Sequence, residues 1–135
     1  MKPKMLVVDD EENLREYYRL ELEDEGYSVD TAASAGDALK KLEHAGYDVI
    51  ILDIQMPGMN GLDLLQRILA RDRQQLVILN TSYQYYQEDF LAWLADAYVV
   101  KSRDTDELKQ AIRNGLARRI SNDRESPVPE PEGKA

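Results

Sequence analysis

Cysteine is absent from the chain, which excludes disulfides, thiolate metal sites and thiol catalysis and permits a reducing compartment. Histidine occurs once, as His44 beside Gly46 at the end of a helical stretch, where a solvated surface role outweighs a catalytic one. Basic charge is scarce: 17 Lys and Arg face 26 Asp and Glu, for a formal net charge of −9. A protein that grips nucleic acid by its phosphates needs a basic face, so direct nucleic-acid binding is not expected. Long apolar runs are missing too. The segment MKPKMLVV is too short for the core of a signal peptide, and nothing approaches the roughly 18 apolar residues of a membrane span. The expectation is a soluble cytoplasmic protein without membrane contact. With 135 residues, 43% of them hydrophobic, the chain suits one globular domain with its own core.

Two textures alternate along it. KMLVV ends in acids, and NLREYYRLELEDEG then carries Leu14, Tyr17, Tyr18 and Leu22 at helical spacing before Gly26. YSVDTA is a short strand. SAGDALKKLEHAG follows as a helix, with Ser34 and Asp37 spaced as a capping box and Ala35, Ala38, Leu39 and Leu42 on one face. YDVIILD reads as a strand covered on both faces. The turn-rich QMPGMNG leads to a helix with Leu62, Leu65, Ile68 and Leu69 in register. QLVILNTS gives a fourth strand, QEDFLAWLADA a short helix, and YVVK a fifth strand. A final helix, TDELKQAIRNGLARRI, turns Leu108, Ala111, Ile112 and Leu116 inward. Five strands alternating with five helices predict an α/β fold, a doubly wound parallel sheet, because parallel neighbours need long crossovers that helices supply. Residues 1–120 form the predicted domain. From Ser121 the sequence SNDRESPVPEPEGKA offers one aliphatic residue, Val128, before the terminal Ala135, and is expected to be a disordered tail or linker.

Functional groups in such a sheet collect beyond the carboxyl ends of the strands. Asp9 and Asp10 follow the first strand and Asp53 the third, and crossovers on opposite sides can make those strands neighbours. Three carboxylates in one small space call for a hard divalent cation, Mg²⁺ above all. Lys101 ends the fifth strand at the same edge, and Thr81 follows the fourth. A metal, an ammonium and a hydroxyl together suit a transferred phosphoryl group, with a carboxylate as the nucleophile.

At these residues the chain resembles the receiver domains of two-component response regulators, in particular single-domain regulators of chemotaxis and sporulation. The resemblance rests on VVDDEE after the first strand, ILDIQMPGMNG around Asp53, NTS after the fourth strand and DAYVVK in the fifth. It implies a flavodoxin-like sheet of order 2-1-3-4-5 with five flanking helices. It also implies that Asp53 is the phosphoacceptor and that Asp9, Asp10, Asp53 and the backbone carbonyl of Gln55 hold Mg²⁺. Lys101 would pair with the phosphoryl oxygens and Thr81 would swing in to bond one of them. Tyr98 would be the switch aromatic that follows Thr81, and Gln55 and Tyr83 would tune the phosphate lifetime. Pro57 and Gly61 match the family's loop after the acceptor. Since neither Gln55 nor Tyr83 is a good general base, slow self-hydrolysis is expected.

The chain departs from the family pattern at Lys101-Ser102, where receivers usually have a cis proline. A cis bond before a non-proline residue costs roughly 2.5–4 kcal/mol, so a trans bond is predicted. The stretch from Thr81 to Lys101 is shorter than usual, which predicts a short or shifted fourth helix. Of the aromatics Tyr83, Tyr85, Tyr86, Phe90, Trp93 and Tyr98, Phe90 is expected to be core together with Leu94, and the tyrosines divide between core and a partner-facing surface.

The resulting expectation is a response regulator that accepts phosphate from a histidine kinase or phosphotransfer protein, catalysing its own Mg²⁺-dependent phosphorylation without being a conventional enzyme. Its downstream protein target would dock at the fourth helix, fifth strand and fifth helix. The alternatives are a receiver-like interaction module that works without phosphorylation, or a receiver excised from a longer multidomain regulator, with a stand-alone regulator favoured over the latter. A phosphohydrolase would want a second acid two residues after Asp53, where Gln55 stands.

Overall fold

A computed structural model describes residues 2–82 and 89–125, with side chains described to residue 120. The strands are β1 (Lys4–Val8), β2 (Ser28–Ala32), β3 (Val49–Leu52), β4 (Leu76–Thr81) and β5 (Ala97–Val100). The helices are α1 (Glu12–Asp24), α2 (Ala35–His44), α3 (Gly61–Arg71) and α4 (Asp106–Glu125), with a 3₁₀ segment at Phe90–Leu94. All strand pairs are parallel, in the order β2-β1-β3-β4-β5.

Strand alternation explains why the central strands are apolar throughout. Met5, Val7, Val49, Ile51 and Ile78 face one layer, where they pack with Tyr18 and Leu22 of α1 and Leu108 and Ile112 of α4. Leu6, Val8, Ile50, Leu52 and Leu79 face the other, against α2, α3 and Ala92. Each side of the sheet is covered, so no position in β1 after Lys4, or in β3 or β4, is exposed.

Helix ends follow local chemistry. Gly26, just past α1, takes a φ of +96°, which an L side chain resists. At α2 the Asp37 N–H donates to Ser34 Oγ at 3.1 Å, while Asp37 Oδ2 accepts from Ala33 N–H at 3.2 Å. The expected capping box therefore forms, with its return bond one residue earlier than the standard pattern.

Three expectations need correction. Five flanking helices were expected, but among the described residues there are four α-helices, and the FLAWL stretch forms a 3₁₀ segment instead. Asp89 caps it by accepting from Leu91 N–H at 2.9 Å, and Ala95 is already extended, leaving too few residues to nucleate an α-helix. Phe90 and Leu94 were expected in the core, yet they are 76% and 47% exposed, as is Trp93 at 73%. The short segment buries only Ala92 fully, so its large side chains point outward. The last helix also continues to Glu125, past the boundary expected at residue 120. No peptide bond among the described residues is cis, so Lys101-Ser102 is trans as predicted.

Candidate functional site

Register brings the acids together. Val8 pairs with Leu52 across β1 and β3, so Asp9 and Asp53, the next residue on each strand, emerge side by side. Backbone bonds extend the ladders through them: Asp53 N–H donates to Val8 O at 3.0 Å and Asp9 N–H to Ala32 O at 3.1 Å. One oxygen each from Asp9, Asp10 and Asp53 lies within 4.8 Å of the others. Asp9 and Asp53 are buried, whereas Asp10 is open to solvent.

Lys101 reaches into this cluster from the end of β5. Its Nζ donates to Asp9 Oδ2 at 2.7 Å and to Asp53 Oδ2 at 3.1 Å. Burial would pull the ammonium's pKa down, but the bond to Asp9 and the charges of Asp53 and Asp9 overcome it and hold Lys101 above its ordinary value. Burial pushes the Asp53 carboxyl up, and the Asp9 charge adds to this. The Lys101 charge opposes both without cancelling them. Asp53 is therefore a desolvated carboxylate facing a single ammonium, which is a suitable nucleophile for an electrophilic phosphorus.

The remaining contacts fix orientation. Glu11 N–H donates to Asp9 Oδ1 at 2.9 Å, and Arg15 Nη1 donates to Asp9 O at 2.8 Å. Gln55 N–H donates to Asp53 Oδ1 at 3.3 Å. Thr81 is the last residue of β4 and fully buried, one position earlier in the fold than expected. Its backbone oxygen accepts from Lys101 N–H at 2.8 Å, which ties the two strand ends together. Tyr98 is half-buried against the α2–α3 layer. Gln55 is exposed, His44 is exposed on α2, and Tyr83 lies outside the described residues.

A response regulator receiver domain family model matches residues 5–113. The chain belongs to this receiver family. The response regulator ArlR of Staphylococcus aureus is 36% identical over 121 residues, which cover 89% of this chain and 55% of ArlR. The chain thus spans about half the length of the curated relatives it matches. Among solved structures, the response regulator TrrA of Thermotoga maritima, in complex with Mg²⁺-BeF, is 46% identical with a TM-score of 0.83, covering 86% of this chain and all of that one. TrrA has also been solved in complex with the histidine kinase ThkA, at a TM-score of 0.80 and covering 86% of this chain and 99% of that one. A CheY-like receiver from Methanospirillum hungatei is 28% identical with a TM-score of 0.85, covering 90% of this chain and 99% of that one.

The receiver fold gathers Asp9, Asp10, Asp53 and Lys101 as expected from the sequence. Sequence reasoning missed Arg15, whose reach back to Asp9 O has no local signal, and Asn60, whose side chain caps α3 by accepting from Asp63 N–H at 3.0 Å. The Asn-x-x-Asp spacing after Gly58 was a legible cap. It also missed why Gly61 is glycine. A Cβ there would lie 2.8 Å from the Asp53 carbonyl carbon and from Ile54 Cα, and closer still to the Asp53 carbonyl oxygen.

Proposed function

We propose that this receiver is a phosphorylation-driven switch whose phosphoacceptor is Asp53, with a histidine kinase or phosphotransfer protein as donor. The observation that carries the reading is the convergence of Asp9, Asp10 and Asp53 within 4.8 Å, with Lys101 donating to two of them. An ionised Asp53 oxygen attacks phosphorus, the P–N bond to the donor imidazole breaks, and its electron pair stays on the imidazole nitrogen. The complex of the related TrrA with the kinase ThkA supports such a donor. The absence of any described helix long and apolar enough to cross a membrane is consistent with work in the cytoplasm.

The donor set fits Mg²⁺. One oxygen each from Asp9, Asp10 and Asp53 lies within 4.8 Å of the others, and hard carboxylate and carbonyl oxygens are what this ion takes. Asp9, Asp10 and Asp53 with the Gln55 carbonyl would hold it, as the Mg²⁺-BeF complex of TrrA supports. When bound, it neutralises the carboxylates and polarises the phosphoryl oxygens. Lys101 keeps Asp53 ionised before transfer and moves to the phosphoryl oxygens after it. Thr81 then bonds another of those oxygens, and Tyr98 follows into the space beside it.

Output leaves by the surface that Tyr98 adjoins. Phe90, Trp93 and Leu94 are exposed on the 3₁₀ segment, which packs against α3 and precedes β5, and form the docking face for a downstream protein. A second reading, a module that binds its partner without phosphorylation, draws support from the 3₁₀ rather than α form of Phe90–Leu94 among the described residues. Beryllofluoride with Mg²⁺, followed by amide NMR, separates the two. Shifts that run from Asp53 through Thr81 and Tyr98 to Phe90–Leu94 are expected. Shifts that stop at Asp53 and Asp9 favour the phosphorylation-independent module.

A further inference from the structure

The end of the sheet opposite the carboxylates holds a cavity of about 550 Å³ where α3 ends, β4 begins and α4 passes. Leu76 opens β4 and Thr81 closes it, so the cavity lies about 16 Å from the phosphoacceptor edge by strand rise. Leu69, Leu76 and Leu94 give it apolar wall, and Arg73, Arg118 and Arg119 line it alongside one carboxylate among the described residues, Asp96. That carboxylate is already engaged, since Asp96 Oδ2 accepts from Val77 N–H at 2.8 Å. Arg119 donates to Asp48 O at 3.0 Å, and its Nη1 lies 3.5 Å from Asp48 Oδ1. Arg73 and Arg118 have no ion pair among the described residues. In a chain with 26 acids and 17 bases, three guanidiniums around one cavity run against the overall balance.

Gly115 sharpens the point. It sits inside α4, where glycine costs about 1 kcal/mol relative to alanine. A Cβ would meet nothing closer than Leu76 Cδ2 at 3.4 Å, an ordinary contact, and no left-handed backbone demands glycine. A Cβ there would lie against Leu76 and within 4.0 Å of Arg118 Nη2, so a methyl group at this position takes up wall space beside two of the residues that line the cavity.

We propose that this cavity binds a small phosphorylated molecule with an apolar body, a nucleotide by chemical class. Guanidinium forks match phosphate oxygens in bidentate pairs, and the leucine wall covers a ring system. The volume falls in the range of about 300–1,000 Å³ typical of small-molecule sites. A ligand there touches Leu94, so it bears on the same segment that carries Phe90 and Trp93. The site is independent of Asp53, and its failure would leave the phosphoacceptor reading untouched.

The test is amide NMR of the full chain titrated with ADP and, separately, inorganic pyrophosphate, in Mg²⁺-free buffer so that the carboxylate cluster recruits neither probe through a metal. Saturable shifts around Arg73, Leu94, Gly115 and Arg118 are expected, with ADP at least about tenfold tighter than pyrophosphate because only ADP covers the leucines. Arg73→Gln with Arg118→Gln should weaken both probes by about tenfold or more with an unchanged melting temperature. Gly115→Ala should weaken ADP and spare pyrophosphate. Shifts that never saturate, shifts unchanged in the arginine variant, or equal affinity for the two probes would overturn the proposal. So would a hexaglutamate peptide that binds more tightly than ADP, which would assign the cavity to an acidic partner segment.

Discussion

Replacing Gly61 by alanine adds one methyl group where the backbone at Asp53 and Ile54 leaves no room for it. The new Cβ would lie 2.8 Å from Asp53 C and Ile54 Cα. Carbon contacts settle at about 3.5–4.0 Å, so α3 or the Asp53–Ile54 peptide must retreat by about 0.7 Å or more. Neither moves freely. Helix α3 is anchored by the buried Leu62, Leu64, Leu65 and Ile68, and Gly61 N–H donates to Ile54 O at 2.8 Å. Overpacking of this kind costs about 1–3 kcal/mol, and the strained hydrogen bond adds about 1 kcal/mol. A loss of about 2–4 kcal/mol in a domain of this size lowers the melting temperature by about 8–16 °C. Gly36→Ala is the control, because a Cβ there meets only Ser34 Oγ at 3.9 Å, and it should be neutral or slightly stabilising. Thermal melts of both variants decide the matter. A Gly61→Ala protein as stable as the Gly36→Ala protein would refute the claim that α3 is seated against the Asp53–Ile54 backbone.

Asp9→Asn with Asp10→Asn should abolish the stabilisation that Mg²⁺ gives the wild type, since both carboxylates that would hold the ion lose their charge. An undiminished Mg²⁺ response in that variant would place the ion elsewhere. Glu21 accepts from Lys109 Nζ and Thr105 Oγ1, each at 2.9 Å, tying α1 to α4, and these bonds hold its carboxyl below the ordinary value of 4.5. Because the folded value is depressed, this contribution is complete above 4.5 and is lost as pH falls through the folded value. Wild type should therefore be more stable than Glu21→Gln at neutral pH and should lose that advantage in acid, as denaturant melts across pH would record. Phe90→Ser should change stability by no more than about 0.5 kcal/mol, since the ring is 76% exposed. A loss of about 3 kcal/mol in a urea melt would return Phe90 to the core.

The sheet was legible because its strands are short apolar runs punctuated by acids, and nothing but a covered strand explains Val49–Leu52. Asp9 and Asp53 could be placed together because topology alone makes β1 and β3 neighbours. The 3₁₀ segment was not legible in the same way. FLAWL has the composition of a buried helix, but the local Asp89 cap and the extended backbone at Ala95 confine it to a 3₁₀ segment with one buried side chain. Lys101 illustrates a subtler gap. Its position at the strand end could be read from sequence, but its simultaneous bonds to Asp9 and Asp53 depend on side-chain reach across three strands. The end of α4 escaped because RRISNDRE keeps helix-forming residues beyond the last inward-facing one, Leu116, and no breaker stops it before Pro127.

The central claim is that Asp53 is the phosphoacceptor, and the most direct measurement is the mass of the intact protein after incubation with a small phosphodonor and Mg²⁺. The account predicts one added phosphoryl group on wild type, mapped to the peptide containing Asp53, and none on Asp53→Asn. A wild type that stays unlabelled under conditions able to catch a short-lived adduct, or an Asp53→Asn protein labelled to the same extent, would contradict it.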